Sequence, residues 1–216
     1  TQTDLSYTAY YVPSTSNGGY YYNPERAHVC SGHVYLSTDY LNYKKIAHID
    51  TTTGVHTTWD VGEVGTPLGV DCDNSGNVYF GTSGKIMGKL DTQTNTLDWY
   101  DFDETIVGAT NVLVTGPNNE IYFNASGAIG KLNFNTGEFV VYDFTHPNYN
   151  YWCDNPGVFD SSGNLYMVTS QGTNSLVCKL DFSSNTLTYW NLQLESSATI
   201  LTSLDIAQNN NIFLED

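Results

Sequence analysis

Basic side chains are scarce in this chain. Seven Lys and Arg stand against 23 Asp and Glu in 216 residues, a formal net charge of −16 with the histidines neutral. Phosphate backbones and anionic lipids repel such a surface, which argues against nucleic acid and membrane surfaces as partners. Cations, basic partners and neutral sugars remain compatible, and the charge also serves plain solubility. Charged residues of both signs are only 14% of the chain, which speaks against extreme halophily. The roughly 18 consecutive apolar residues of a membrane-spanning helix are missing, as is any helical period. Thr1 is no initiator Met and no apolar segment follows it, so a signal or pro-segment is expected to have been removed. None of the four cysteines (Cys30, Cys72, Cys153, Cys178) forms a CxxC, which gives a zinc knuckle or thioredoxin-like site no support. Three pairings stay open, with one or two disulfides or buried thiols as the outcomes. There is no GxSxG, P-loop, HExxH or nucleotide fingerprint. His28, His33, His48, His56 and His146 are scattered. Only His28 and His33 are close in sequence, and their odd interval puts them on opposite faces of one strand.

What is present is a repeat. The strand signatures GHVYLS (32–37), GNVYFG (76–81), NEIYFN (119–124), GNLYMV (163–168) and NNIFLE (210–215) place an aromatic at Tyr35, Tyr79, Tyr122, Tyr166 and Phe213. A second signature follows the first four: KKIAHIDTTTG, GKIMGKLDTQTN, GAIGKLNFNTG and NSLVCKLDFSSN. An aromatic strand closes each unit: TTWDV, DWYDF, VVYDF and TYWNL. Apolar and polar residues alternate, which marks strands. Asn-Ser-Gly-Asn at 74–77 and Ser-Ser-Gly-Asn at 161–164 supply the positive φ of tight hairpins. Each unit of about 44 residues therefore reads as four antiparallel strands, one propeller blade.

The N-terminal Tyr10-Tyr11-Val12 matches the outer strand Tyr100-Asp101-Phe102, and residues 201–216 carry only an inner and a second strand. The two ends are complementary. The expected fold is a single all-β domain, residues 1–216, built as a five-bladed propeller. Its blades span about 23–61, 66–102, 109–144, 155–192, and 201–216 completed by 3–13. Closure of this kind removes free sheet edges. The fifth blade lacks about ten residues of the interior template, so it has three strands or the natural chain is longer, with room for a sixth blade.

Residues 66–102, TPLGVDCDNSGNVYFGTSGKIMGKLDTQTNTLDWYDF, resemble the repeat of the streptogramin lyase-like (virginiamycin B lyase-like) propellers, and are close in style to NHL and SMP-30-type repeats. The resemblance lies in the Pro-x-Gly-Val entry, the Gly-Asn-Val-Tyr-Phe strand and the Lys-Ile…Gly-Lys-Leu-Asp-Thr return, and it covers four blades. It implies a propeller scaffold and carries little about activity. Lyases of that family are seven-bladed and use a His with Mg²⁺-binding acids. No segment here matches those residues, so none is carried over.

Connections from an outer strand to the next inner strand converge on the channel of a propeller and commonly build its site. Two are long and aromatic, PSTSNGGYYYNPER and THPNYNYWCDNPG. They bring Tyr20, Tyr21, Tyr22, Tyr149, Tyr151 and Trp152 to one loop face. Tyr and Trp beside amides suit sugar or peptide recognition, and the plain alternative is that these rings plug blade ends. The first residues of the inner strands, Glu25, Arg26, Thr66, Asn111, Asp154, Asn155 and Ser203, form a polar ring at the mouth. That ring would hold Ca²⁺ or Mg²⁺ or be a watery pore, and Arg26 counts against a cation. Asp71, Asp73, Asp160 and Asp205 read as turn and channel hydrogen-bonding residues. Asn124-Ala125-Ser126 is a glycosylation sequon at Asn124.

The reading that follows is a secreted, extracellular or cell-surface binding module. It would be lectin-like or adhesive, taking carbohydrate or protein through its loop face, with self-assembly into a larger extracellular structure left open. It would use no cofactor beyond Ca²⁺ or Mg²⁺ at the mouth. The rivals are a metal-assisted lyase or hydrolase at the channel mouth and a purely structural subunit.

Overall fold

Alternating strands cut by Gly and Asn turns build antiparallel sheets in chain order. The computed structural model of the chain describes residues 24–38, 44–61, 64–73, 75–102, 110–116, 118–125, 128–143, 157–171, 174–193, 203–206 and 212–215. The first sheet holds β1 (Pro24–Cys30), β2 (His33–Thr38), β3 (Lys45–Asp50) and β4 (His56–Asp60). The second holds β5 (Pro67–Cys72), β6 (Asn77–Thr82), β7 (Ile86–Asp91) and β8 (Thr96–Asp101). The third holds β9 (Thr110–Thr115), β10 (Glu120–Ala125), β11 (Ala128–Asn133) and β12 (Phe139–Asp143). The fourth holds β13 (Val158–Phe159), β14 (Leu165–Gln171), β15 (Asn174–Asp181) and β16 (Thr186–Gln193). A two-stranded sheet of β17 (Ser203–Ile206) and β18 (Ile212–Glu215) follows. Within each sheet every strand pairs with its sequence neighbour, and the innermost strands β1, β5 and β9 touch in succession, as do β13 and β17.

The turns repeat one chemistry. Between the third and fourth strands of each four-stranded sheet, a side-chain oxygen accepts the N–H groups two and three residues on. Asp50 Oδ1 takes those of Thr52 and Thr53 at 2.8 and 3.0 Å. Asp91, Asn133 and Asp181 do the same in their sheets. Donors aimed at a carboxylate favour its charged form. The Thr53 and Thr52 N–H groups accordingly hold Asp50 below the usual carboxylate range, and the Ser183 hydroxyl with the Ser184 N–H takes Asp181 down to about 2. Asn133 makes the same turn without a charge.

The core lies between the sheets. Successive residues of a strand face opposite ways, so Phe80 packs toward the first sheet with Ile46, Val61 and Val70, while Tyr79 packs toward the third with Ile121, Phe123 and Leu132. Tyr122, Leu165, Met167 and Leu176 fill the next layer, and Val168, Val177 and Leu204 the one after. A disulfide joins Cys30 of β1 to Cys72 of β5, with 6.3 Å between Cα atoms and a sequence separation of 42. Closing a loop of that length restricts the unfolded chain by about 4 kcal/mol on the chain-entropy model. Cys178 is buried on β15, and Cys153 lies outside the described residues.

One cross-strand column shows how the layers are filled. Phe80 pairs with Gly88, Phe123 with Gly130, Leu36 with Ala47 and Val168 with Val177. A large ring on the second strand thus meets no side chain on the third, and medium residues meet small or medium ones. A Cβ at Gly88 would sit 2.1 Å from Phe80 Cζ, and one at Gly130 would sit 2.1 Å from Phe123 Cζ. The bare strand lets the Phe80 ring cross to meet Trp99 edge-on, with centroids 5.5 Å apart. Gly88→Ala should therefore cost about 1–3 kcal/mol in urea denaturation, as overpacking does. In a Phe80→Ala background the same substitution should cost well under about 1 kcal/mol, because the methyl then enters the vacated space. Equal costs in both backgrounds would show that the ring does not set this requirement.

Candidate functional site

Asp71 lies at the same register position as His28, Val114, Val158 and Asp205, each opposite the aromatic of the second strand. Its side chain is buried, and three elements use it. Oδ1 accepts the N–H of Cys72 at 2.7 Å and faces His28 Nε2 at 2.9 Å, while Oδ2 accepts the N–H of Thr115. One carboxylate therefore ties β1, β5 and β9 together. Asn111 makes a second tie, its Oδ1 accepting the N–H of Gly69 at 2.7 Å. A third runs through Thr110, whose hydroxyl accepts the N–H of Thr82 and donates to the carbonyl of Ile86. Hydrogen bonding to Asp71 raises His28 above its ordinary imidazole range, against a smaller opposing effect of burial.

A cleft of about 560 Å³ opens between the first and second sheets, at the end that carries their β-hairpin turns. Its first wall is aromatic. Tyr35 stacks on His48 with centroids 5.1 Å apart, His33 meets His48 edge-on at 4.7 Å, and Trp59 lies 6.2 Å from His48. The facing wall is polar, built by Thr92, Gln93 and Asn95 of the turn after β7 with Ser75 and Gly76 below. Trp59 donates its indole N–H to Asn95 Oδ1 at 3.2 Å across the opening. Burial and the neighbouring His33 hold His48 below the ordinary imidazole range, so it is neutral near pH 7. Among the described residues, His33 Nδ1 and His48 Nε2 are buried without a hydrogen-bond partner. A second cleft, also about 560 Å³, is lined by Asp73, Thr115, Asn119, Phe159 and Asp160. Its two carboxylates are occupied by their own turns. Asp73 accepts from Ser75, Asn77 and the Tyr79 hydroxyl, and Asp160 from Ser162 and Asn164.

Several sequence expectations change here. His28 and His33 are not two residues of one strand, because the Ser31–Gly32 turn separates β1 from β2. The parity argument therefore fails, and the spatial partner of His33 is His48. Asn111, expected at an open mouth, spends its amide oxygen on the neighbouring sheet's backbone. Asn124 is only 4% exposed on β10, and Ser126 of its sequon lies outside the described residues. Glu25 and Arg26 lie on β1, with the register shifting between Pro24 and Arg26. Tyr20, Tyr21, Tyr22, Tyr149, Tyr151, Trp152, Asp154 and Asn155 lie outside the described residues. The cleft went unforeseen, although His33, Tyr35 and His48 sit at alternating positions of adjacent strands, a signal the sequence does contain.

No protein-family model matches the sequence, and no curated protein does. Solved structures do. A streptogramin B lyase aligns over 96% of this chain and 65% of its own, with a TM-score of 0.73 and 16% identity. Virginiamycin B lyase from Staphylococcus aureus aligns over 88% and 62%, with a TM-score of 0.70 and 15% identity. The extracellular domain of a putative one component system from B. thetaiotaomicron aligns over 93% of this chain and 27% of its own, with a TM-score of 0.66 and 14% identity. The chain thus spans less than two thirds of the lyases' length. It has the fold of the streptogramin lyase-like β-propellers.

The His28–Asp71 pair gives this fold a pH signature. A raised folded-state pKa contributes stability that is fully present below the unfolded value near 6.5 and is lost as pH rises through the folded value. As pH rises above about 6.5, the wild type should lose stability relative to His28→Asn. With the His28 side chain 45% exposed, solvent screening limits the difference to under about 1 kcal/mol. Parallel urea midpoints for the two proteins across that rise would reject the coupling.

Proposed function

We propose that the protein is a non-enzymatic, extracellular binding propeller whose ligand is a neutral carbohydrate seated in the cleft between the first two sheets. The observation that carries this reading is the pairing of a continuous aromatic wall, Tyr35–His48–Trp59, with amide and hydroxyl groups at Thr92, Gln93 and Asn95. The ring faces would cover the apolar face of a sugar, and the amides would direct its hydroxyls. The buried nitrogens of His33 and His48 gain partners if hydroxyls reach them. A net charge of −16 disfavours anionic ligands. None of the described residues that line the cleft is a carboxylate, which gives the acid pair of ordinary glycoside hydrolysis no support among them. The similar structures include extracellular domains of putative signalling systems, and among the described residues no helix is long and apolar enough to cross a membrane. The first of these agrees with an extracellular binding role.

The architecture belongs to the same proposal. A closed ring of five blades would need residues 3–13, which lie outside the described residues, to complete the sheet of β17 and β18. The interblade connections with Tyr21 and Trp152, which lie outside the described residues, are proposed as a second recognition surface. The assembly reading has its own support in Trp99, Val141 and Trp190, which stand exposed at equivalent positions of the outermost strands.

Titration calorimetry against a panel of neutral oligosaccharides tests the cleft. Trp59→Ala should weaken the best ligand about tenfold or more, the order expected for one lost ring contact, and Asn95→Ala should also weaken it. Tyr21→Ala with Trp152→Ala should leave that affinity unchanged. Loss only in the latter pair would move the site to the loop face, and binding of peptides but no glycans would replace carbohydrate with a protein ligand.

A further inference from the structure

The disulfide lies beside two other metal-binding side chains. One ligand atom each from His28, Cys30, Asp71 and Cys72 falls within a sphere in which all are no more than 4.8 Å apart. Two come from β1 and two from β5, and the pair His28 Nε2–Asp71 Oδ1 is already 2.9 Å apart. In a tetrahedral zinc site, bonds of about 2.3 Å to sulfur and about 2.0–2.1 Å to nitrogen and oxygen separate the ligand atoms by roughly 3.3–3.8 Å. Reduction frees the two sulfurs to part from bonding distance to that spacing, and the 4.8 Å envelope then admits all four atoms around one ion. We propose that, once the Cys30–Cys72 bond is reduced, these four side chains hold one Zn²⁺, so that disulfide and metal are alternative ties between the first two sheets.

The chemistry selects the ion. Two thiolates, an imidazole and a carboxylate are a borderline-soft set that suits zinc and gives Mg²⁺ or Ca²⁺, which want oxygen ligands, little hold. This differs in place and in kind from the Ca²⁺ or Mg²⁺ expected at the channel mouth. Asp71 already has an outer support, since its second oxygen accepts the Thr115 N–H, and such bonds orient metal ligands. The steps balance. A phosphine reductant and water convert the disulfide to two thiols and become the phosphine oxide. Zn²⁺ then replaces the two thiol protons, which leave to solvent, and takes the lone pair of a neutral His28.

The test uses the whole chain, metal alone and no sugar, so it stands apart from the carbohydrate reading. Phosphine-reduced protein titrated with Co²⁺ should bind one equivalent with thiolate-to-cobalt charge-transfer absorption, and Zn²⁺ should displace it. The disulfide form should show none of this absorption. The Cys30→Ser/Cys72→Ser variant should lose it even though Cys153 and Cys178 remain. His28→Gln should keep the charge-transfer band but bind about 10–100-fold more weakly, the order seen when a metal site loses one support. If reduction unfolds the chain, Zn²⁺ should restore its thermal transition in the wild type and not in the double variant. Absorption that survives in the double variant, equal binding by the disulfide form, or no metal response from the reduced wild type would each overturn the proposal.

Discussion

The buried carboxylate of Asp71 is the constraint on which the inner part of this fold depends. A propeller has little hydrogen bonding between its blades, because each sheet satisfies its own backbone and meets the next through side chains. Asp71 breaks that separation by taking a backbone N–H from β9 and an imidazole from β1 while sitting on β5. A carboxylate that is only 5% exposed tolerates its burial because two backbone N–H groups and an imidazole nitrogen meet its oxygens. The position of three inner strands is then set to hydrogen-bond precision, where apolar packing alone would allow them to slide. The Cys30–Cys72 bond adds a covalent tie between the first two of those strands, one residue beyond Asp71.

Outward from that hub, the sheets hold together by complementary volume. Ring and glycine share one cross-strand pair in the second and third sheets, Leu and Ala in the first, and Val with Val in the fourth. Interiors pack at crystal-like density, so a layer can take a phenylalanine ring only where its partner strand gives up a side chain. The repeat conserves the sum and not the residues, which is why its copies look looser in sequence than they are in space. Trp99 stands exposed over the same gap and reaches the Phe80 ring edge-on.

Local patterns made the sheets legible, and contacts between sheets were not legible. The strand signatures, the Gly-Asn hairpins and the Asp-Thr-x-Thr turns each act within a few residues, so alternation and turn chemistry suffice to place them. Asp73 and Asp160 were readable as turn residues for the same reason. Asp71 was assigned to that group as well, yet its partners lie 43 residues back and 44 ahead, and a register irregularity between Pro67 and Val70 hides where its side chain goes. The histidines failed differently. Counting from His28 to His33 assumed one continuous strand, whereas the positive φ of Ser31 and Gly32 turns the chain between them. The absence of CxxC said nothing about two cysteines brought together from neighbouring sheets.

The cleft and the hub are mechanically one object. Cys30 lines the cleft's inner end, and the bond to Cys72 fixes how far the aromatic wall of the first sheet stands from the polar turn of the second. Trp59 and Asn95 meet across the opening with a single exposed hydrogen bond, too weak on its own to set that spacing. The rigid part is therefore the inner tie, and the outer contact follows it. A planar aromatic platform binds sugars usefully only if the opposite polar wall stays at one distance, because ordering the walls at the moment of binding would consume affinity. Whatever joins Cys30 to Cys72 thus governs the width of the cleft as well as the stability of the first two sheets, and a change at the tie would be felt at Trp59 without any substitution in the cleft itself.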